Sequence, residues 1–392
     1  MSLATGSDSI PTAHGRGLSL IAVIASAFIS TLTFAITTPL LAVKLAAAGY
    51  SGGWIGLNTG AGAAAILLMS MATPALGRWL GTFWALMLSI LVMALGVGLL
   101  PVWDGKAGWF LLRILIGAGI AVHWVISETW VNSVAEETDR GKVVGAYVAA
   151  VGLAYLVAGP ILLAMGTRGN LPFFVVTVMI ATAAVPILVA RRLVPALPAS
   201  GSTGMLDAIA RQPAVMGASL VSGVAIAGVL SFLLLYVQHT GLTEQTSLIV
   251  LVAVATGNVL LQVPVGALAD KVGAERLLIS VAAVALAGLA GMPFLGPIGP
   301  LRWPFLFLWG GALGGFYTLS LTLVGRRFAP AELPAANAVF VIVYEIGGLL
   351  GPVTSGFGID LWNPHGALVP LAVAYALFIL GTLIAGGRRV SS

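Results

Sequence analysis

The chain has 392 residues, 59% hydrophobic and only 8% charged, with a mean hydropathy of +1.07. This lies well beyond the roughly 45–50% apolar content of ordinary globular domains, so the sequence reads as a polytopic membrane protein. With no cysteine and four scattered histidines it offers no disulfide and no metal-ligand cluster, and its net charge of +5 is spread between apolar runs, which argues against a nucleic-acid partner.

Residues 1–16 form a polar tail with Asp8 and no basic run, unlike a cleaved signal peptide. Twelve stretches then reach the length of about 20 apolar residues that a bilayer-crossing helix needs. They are 17–43, 51–76, 81–101, 108–131, 142–165, 171–190, 213–238, 245–268, 275–296, 303–325, 334–357 and 366–387. With residue 1 placed in the cytoplasm, 13 of the 18 basic residues fall on that side. Lys44, Lys106, Arg168 and Arg302 fall opposite, and Arg113 lies inside a span. The asymmetry follows the positive-inside rule and predicts a multi-pass protein of the bacterial cytoplasmic (inner) membrane with both termini cytoplasmic.

The hydrophilic segment 191–212 has the composition of a flexible linker and divides the chain into two six-span bundles, 17–190 and 213–387, with 388–392 as a C-terminal tail. A shift of 192 residues carries Gly81 onto Gly273, Gly119 onto Gly311, and Gly159-Pro160 onto Gly351-Pro352. Parallel repeats of this kind are one way to build a secondary transporter.

Between spans 8 and 9 lies a charged island running from Gly266 to Arg276, expected as a turn at the cytoplasmic surface. Its pattern, Gly266-x-Leu268-Ala269-Asp270-Lys271-x-Gly273-x-x-Arg276, resembles the loop signature of the major facilitator superfamily. Arg113-x-x-x-Gly117-x-Gly119 in span 4 is similar to that family's second motif, and the Gly-Pro of span 5 to its third. Glu128-Thr-Trp130 with Arg140-Gly141, and Gly315-Phe-Tyr317 with Glu332-Leu333, resemble the YcaD-like group within it. The resemblance covers all twelve spans. It implies an all-α membrane protein of twelve transmembrane helices in two pseudo-symmetric six-helix bundles. It also implies a gating role for Gly266, Asp270, Lys271, Gly273 and Arg276, which brace the outward-facing state. The first-half loop departs from the pattern, since Arg78 stands where the family usually has aspartate.

Charges at membrane depth are costly and usually face a cavity or a partner. Glu345, near the middle of span 11, is either a proton-coupling site or a hydrogen-bonded lock between helices. Arg113 either binds an anionic group or snorkels to the outer interface beside Trp109. Trp124 and Glu128 fall near the helical face of Arg113, whereas His123 points elsewhere and is expected to pack. Thr33 and Thr37, with Ser26 and Ser30, form either a polar stripe or hydroxyls bonded back to their own helix. Asn258 and Gln262 are read first as helix-bridging amides, and Tyr236, Tyr317 and Tyr344 as further cavity-lining candidates.

These features predict a secondary active transporter that moves a small solute by alternating access, with proton coupling as the hypothesis attached to Glu345. No phosphate-binding loop is present, which argues against ATP-driven transport. No cofactor is expected, and the partners are solute, proton and membrane lipid around a monomer. The alternative is a non-transporting sensor or assembly partner on a transporter scaffold, suggested by Arg78. An intramembrane enzyme is disfavoured because no nucleophile, base and orienting group can be assembled.

Overall fold

The computed structural model describes residues 13–103, 105–136, 139–195, 209–329 and 332–390. Among these there is no strand. The first half comprises α1 (Ala13–Ala47), α2 (Gly52–Leu80), α3 (Thr82–Leu99), α4 (Lys106–Val134), α5 (Arg140–Met165), α6 (Leu171–Thr182) and α7 (Ala184–Val189). The second half comprises α8 (Pro213–His239), α9 (Glu244–Leu260), α10 (Gln262–Val272), α11 (Ala274–Gly291), α12 (Arg302–Arg327), α13 (Leu333–Leu361) and α14 (Val369–Val390). By length and composition, 11 of the described helices or near-continuous helical stretches can cross a membrane, and 12 if α9 and α10 form one bent span. Most of the tail 1–16, the heart of the linker 191–212 and the last two residues of the tail 388–392 lie outside the described residues.

Two expected spans are broken, both by proline. A proline lacks the amide proton, and its ring crowds the carbonyl four residues earlier. Pro186 accordingly ends α6 at Thr182, and Pro264 ends α9 at Leu260, where α10 departs at 41°. The segment from Gly266 to Arg276 also differs from the expected open turn. Helix α10 continues to Val272 and α11 begins at Ala274, so Gly273 alone makes the turn, at φ 91°. Only a residue without Cβ takes that backbone readily. Gly81 does the same between α2 and α3 at φ 82°, so the shift of 192 seen in sequence recurs as geometry.

The repeat extends to helix crossings. A Cβ on Gly117 would lie 2.3 Å from the carbonyl oxygen of Gly62, and one on Gly310 would lie 2.1 Å from that of Val254. Helix α4 therefore crosses α2 as α12 crosses α9, at glycines that admit the neighbouring backbone. We call the end where α1 begins, and where Gly81 and Gly273 turn, basal, and the opposite end distal.

The two halves meet through α2 with α13, α5 with α9, and α1 with α8. At the distal end the contact is tight. Gly52, Gly53, Gly56 and Gly60 present a small-residue face of α2 to Pro352, Val353, Gly356 and Ile359 of α13. Asp360 accepts hydrogen bonds from the amides of Gly52 and Gly53 at 2.6 and 2.7 Å, placing a carboxylate at the start of α2 where helix amides are free. Glu244 of α9 accepts from the Thr167 amide and hydroxyl at 3.1 and 2.5 Å and pairs with Arg168 at 3.1 Å. At the basal end, the described ion pairs stay within one half. Arg16 joins Asp139 and Glu136, while Arg326 joins Asp270 and Arg327 joins Glu275.

Candidate functional site

Between the halves lies a cavity of about 700 Å³, counting its open mouth. Helices α1, α2, α4 and α5 supply one wall, α8 and α13 the other. Most of the lining is apolar, including Phe34, Ile116, Ile120 and Leu230, and two side chains on it carry formal charge, Arg113 and Glu345.

Arg113 is only 3% exposed, and its Nε and Nη1 are buried without a hydrogen-bond partner. It does not snorkel to the interface. Its stem lies against α2, where a Cβ on Gly62 would come within 2.8 Å of Nε. Glu345, half-buried on the same cavity, forms no ion pair with Arg113. Trp124 and Tyr344 also line it, and Trp124 packs edge-to-face on Phe34 with centroids 5.6 Å apart. Gly117 completes the face of α4 expected from its helical spacing.

Glu128 is not in the lining. It is exposed one turn basal to Trp124 on the same helix, on the basal side of the cavity. That placement, with the distal contacts described above, makes the basal end the open one.

Several expected lining residues lie elsewhere. Thr33 and Thr37 are buried, and their hydroxyls donate to carbonyls of their own helix, at Ile29, Ser30 and Thr33. The neighbouring Thr38 reaches the cavity instead. Tyr236 is fully buried towards the distal end, with its hydroxyl 3.1 Å from Nδ1 of His365. Asn258 and Gln262 flank the α9–α10 break, Gln262 Nε2 donates to Asn258 Oδ1 across it at 3.4 Å, and the Asn258 side chain lies against Gly314 of α12. Tyr317 stands behind the wall, its ring 5.4 Å from that of Tyr344. His123 packs as expected, fully buried with Nε2 3.3 Å from Ser26 Oγ.

Of the loop residues, Asp270 pairs with Arg326 at 2.6 Å, Gly273 makes the turn, Gly266 has open space around it, and Lys271 and Arg276 are exposed. Arg78 is exposed at the equivalent place in the first half. Sequence reasoning missed Asp360, Glu244 and the cavity aromatics Phe34 and Tyr155. It also missed Asn58, fully buried on α2 with neither side-chain atom partnered. Asn58 had a signal, being the one amide side chain in its span. Asp360 had none, because its partners are 308 and 307 residues away.

Two helical halves closed at one end around a cavity with unmatched charge are the architecture of a membrane solute carrier. The sequence profile of the Major Facilitator Superfamily matches residues 20–352, and the chain belongs to that family. It is 25% identical over 364 residues to the uncharacterized MFS-type transporter YcaD of Salmonella arizonae, covering 91% of this chain and 93% of the relative. Its fold is similar to that of the nucleoside transporter NupG, with a TM-score of 0.76 at 14% identity over 93% of this chain and 98% of that one. It is also similar to a bacterial homologue of the human lysosomal transporter Spinster, inward-facing and occupied, with a TM-score of 0.71 at 16% identity over 95% and 94% of the two chains. The family is one of transporters, not of enzymes, and the protein is a multi-pass membrane protein.

Proposed function

We propose that this protein is a secondary active transporter that carries a small solute across the bacterial cytoplasmic membrane by alternating access, as a monomer. Residues 17–190 and 213–387 are its two moving bundles, and 191–212 is the cytoplasmic linker. The observation that carries this reading is the cavity shared by the halves, tight at the distal end and open at the basal end, with Arg113 and Glu345 facing it unpaired. The excess of basic residues at the basal end supports a cytoplasmic placement of both termini, which makes the conformation inward-facing. Asp270, paired only within its own half, is then free to brace the basal end when that end closes.

Glu345 is the proposed proton site, since a carboxylate near mid-membrane is costly to keep charged. Reconstituted protein should accumulate its solute in response to an imposed pH gradient, and Glu345→Gln should uncouple that accumulation while leaving equilibrative exchange. Accumulation by the variant equal to wild type, with unchanged pH dependence, would sink proton coupling at this residue. The exposed Arg78 favours a second reading, a sensor or assembly partner on the same scaffold. Absence of flux from a stably folded protein, together with a co-purifying partner, would support it.

A further inference from the structure

We propose that the solute is a small organic monoanion with an apolar body, its carboxylate held by Arg113, and that its binding is thermodynamically linked to protonation of Glu345. The proposal rests on the transporter reading and adds the chemical class of the solute.

The argument begins with an imbalance. A buried cation without a partner is expensive, and natural proteins keep one where a ligand or a second conformation supplies the anion. Arg113 is the only cation on the cavity, it is 3% exposed, and two of its nitrogens lack acceptors. Its planar fork matches a carboxylate in a bidentate arrangement. Gly62 leaves no slack beside the guanidinium, since even a methyl group there would touch Nε and Cγ at 2.8 and 3.1 Å. The donor is thereby held in place before the ligand arrives. One cation balances one negative charge, so a dianion is not accommodated.

The surrounding walls restrict the body of the solute. Phe34, Ile116, Ile120 and Leu230 are apolar, and the hydroxyls of Thr38 and Ser231 already donate to Phe34 and Ala227 of their own helices, which leaves Thr59, Tyr155, Tyr344 and the Trp124 indole as the polar edges of the wall. A mostly apolar body suits such a wall better than one covered in hydroxyls, each of which needs a partner.

Glu345 faces the same cavity from the opposite half. Along the α2–α13 contact Gly56 meets Pro352 and Gly60 meets Leu349 and Val353, while Gly62 meets Arg113, so Glu345, one turn basal of Leu349, lies near the level of Arg113. Neutralising Arg113 with an anion removes a positive charge from the space that Glu345 faces, which favours its protonation, about tenfold for each 1.4 kcal/mol of interaction. The other titratable groups facing Glu345 are Glu128 from α4, Tyr155 from α5, Tyr317 from α12 and its neighbour Tyr344. The middles of α2 and α8 bring none, and α14 brings the buried Tyr375, packed on Phe316.

The test uses the purified full chain and straight-chain carboxylates from propionate to octanoate with benzoate, each beside its neutral amide and its amine. Binding is followed by calorimetry at pH 5.5 and pH 8. At least one carboxylate is expected to bind, its amide and amine are not, and affinity should fall about tenfold at the higher pH. Arg113→Ala should weaken binding by at least about 30-fold. Arg113→Lys, which keeps charge but loses the fork, should fall between, with an unchanged melting temperature showing that the fold is intact. Glu345→Gln should bind equally at both pH values. No binding by any carboxylate, equal binding by an amide or amine, or undiminished binding by Arg113→Ala overturns the anion site. Persisting pH dependence in Glu345→Gln overturns the linkage. Carboxylate binding without flux in proteoliposomes defeats the transporter reading while the anion site stands. Flux of a sugar or nucleoside that survives Arg113→Ala defeats the anion class while transport stands.

Discussion

Arg113 and Glu345 stood out in the sequence because a charge inside an apolar span is rare, and the physical cost that makes it rare also makes it meaningful. Hydroxyls give no comparable signal. Ser26, Ser30, Thr33 and Thr37 repeat at helical spacing whether they face water or their own carbonyls, and Thr33 and Thr37 do the latter. Gly117 shows what a single residue contributes to the site, because it lets α4 touch α2 beside Arg113. Gly117→Ala is expected to destabilise the detergent-solubilised protein by about 1–3 kcal/mol, the usual cost of overpacking. The check is its melting temperature against a Gly145→Ala control, where no atom lies within 4 Å of the added methyl. At the basal surface, the guanidinium of Arg16 donates to both oxygens of Asp139 at 2.6 and 2.7 Å and holds its carboxyl below the usual carboxylate range. A group with a depressed folded pKa contributes stability above its unfolded value and loses it as pH falls through the folded one. The melting-temperature difference between wild type and Asp139→Asn should therefore be constant near neutrality and vanish on acidification below about pH 4.

At the scale of elements, twelve stretches were legible from apolar length alone, and the proline breaks in the sixth and eighth follow from residues visible in the sequence. What was not legible is which helix ends meet. The pairing of Asp360 with the start of α2 links residues more than 300 apart, and no local pattern encodes it. Asp360→Ala removes a cap of about 1 kcal/mol, which should move the population towards the distally open form roughly fivefold. Because the chain has no native cysteine, Thr59→Cys on the cavity wall gives a clean reporter. Its labelling by an impermeant maleimide from the distal side should rise in the Asp360→Ala background. Unchanged labelling would remove Asp360 from the closure.

For the whole molecule, alternating access requires the α2–α13 contact to separate. Gly53 and Phe357 face one another there, with the ring 2.8 Å from a Cβ on Gly53. A Gly53→Cys/Phe357→Cys pair should cross-link on oxidation and arrest transport, with recovery on reduction. Continued transport by the cross-linked protein would be incompatible with rocking of the halves. Asp270→Asn should slow transport without blocking membrane insertion, because it removes the carboxylate that pairs with Arg326, whereas Arg78→Asp should be better tolerated.

The sequence by itself determined the membrane class, the spans, the twofold repeat and the two charges of the site. Each of these depends on local composition or on spacing along one chain. Only the tertiary structure decided that Arg113 is buried unpaired, that Glu345 shares its cavity, and that the distal end is closed. Those depend on contacts between helices from opposite halves, where the deciding quantity is which backbone a glycine admits and which carboxylate a distant helix end receives.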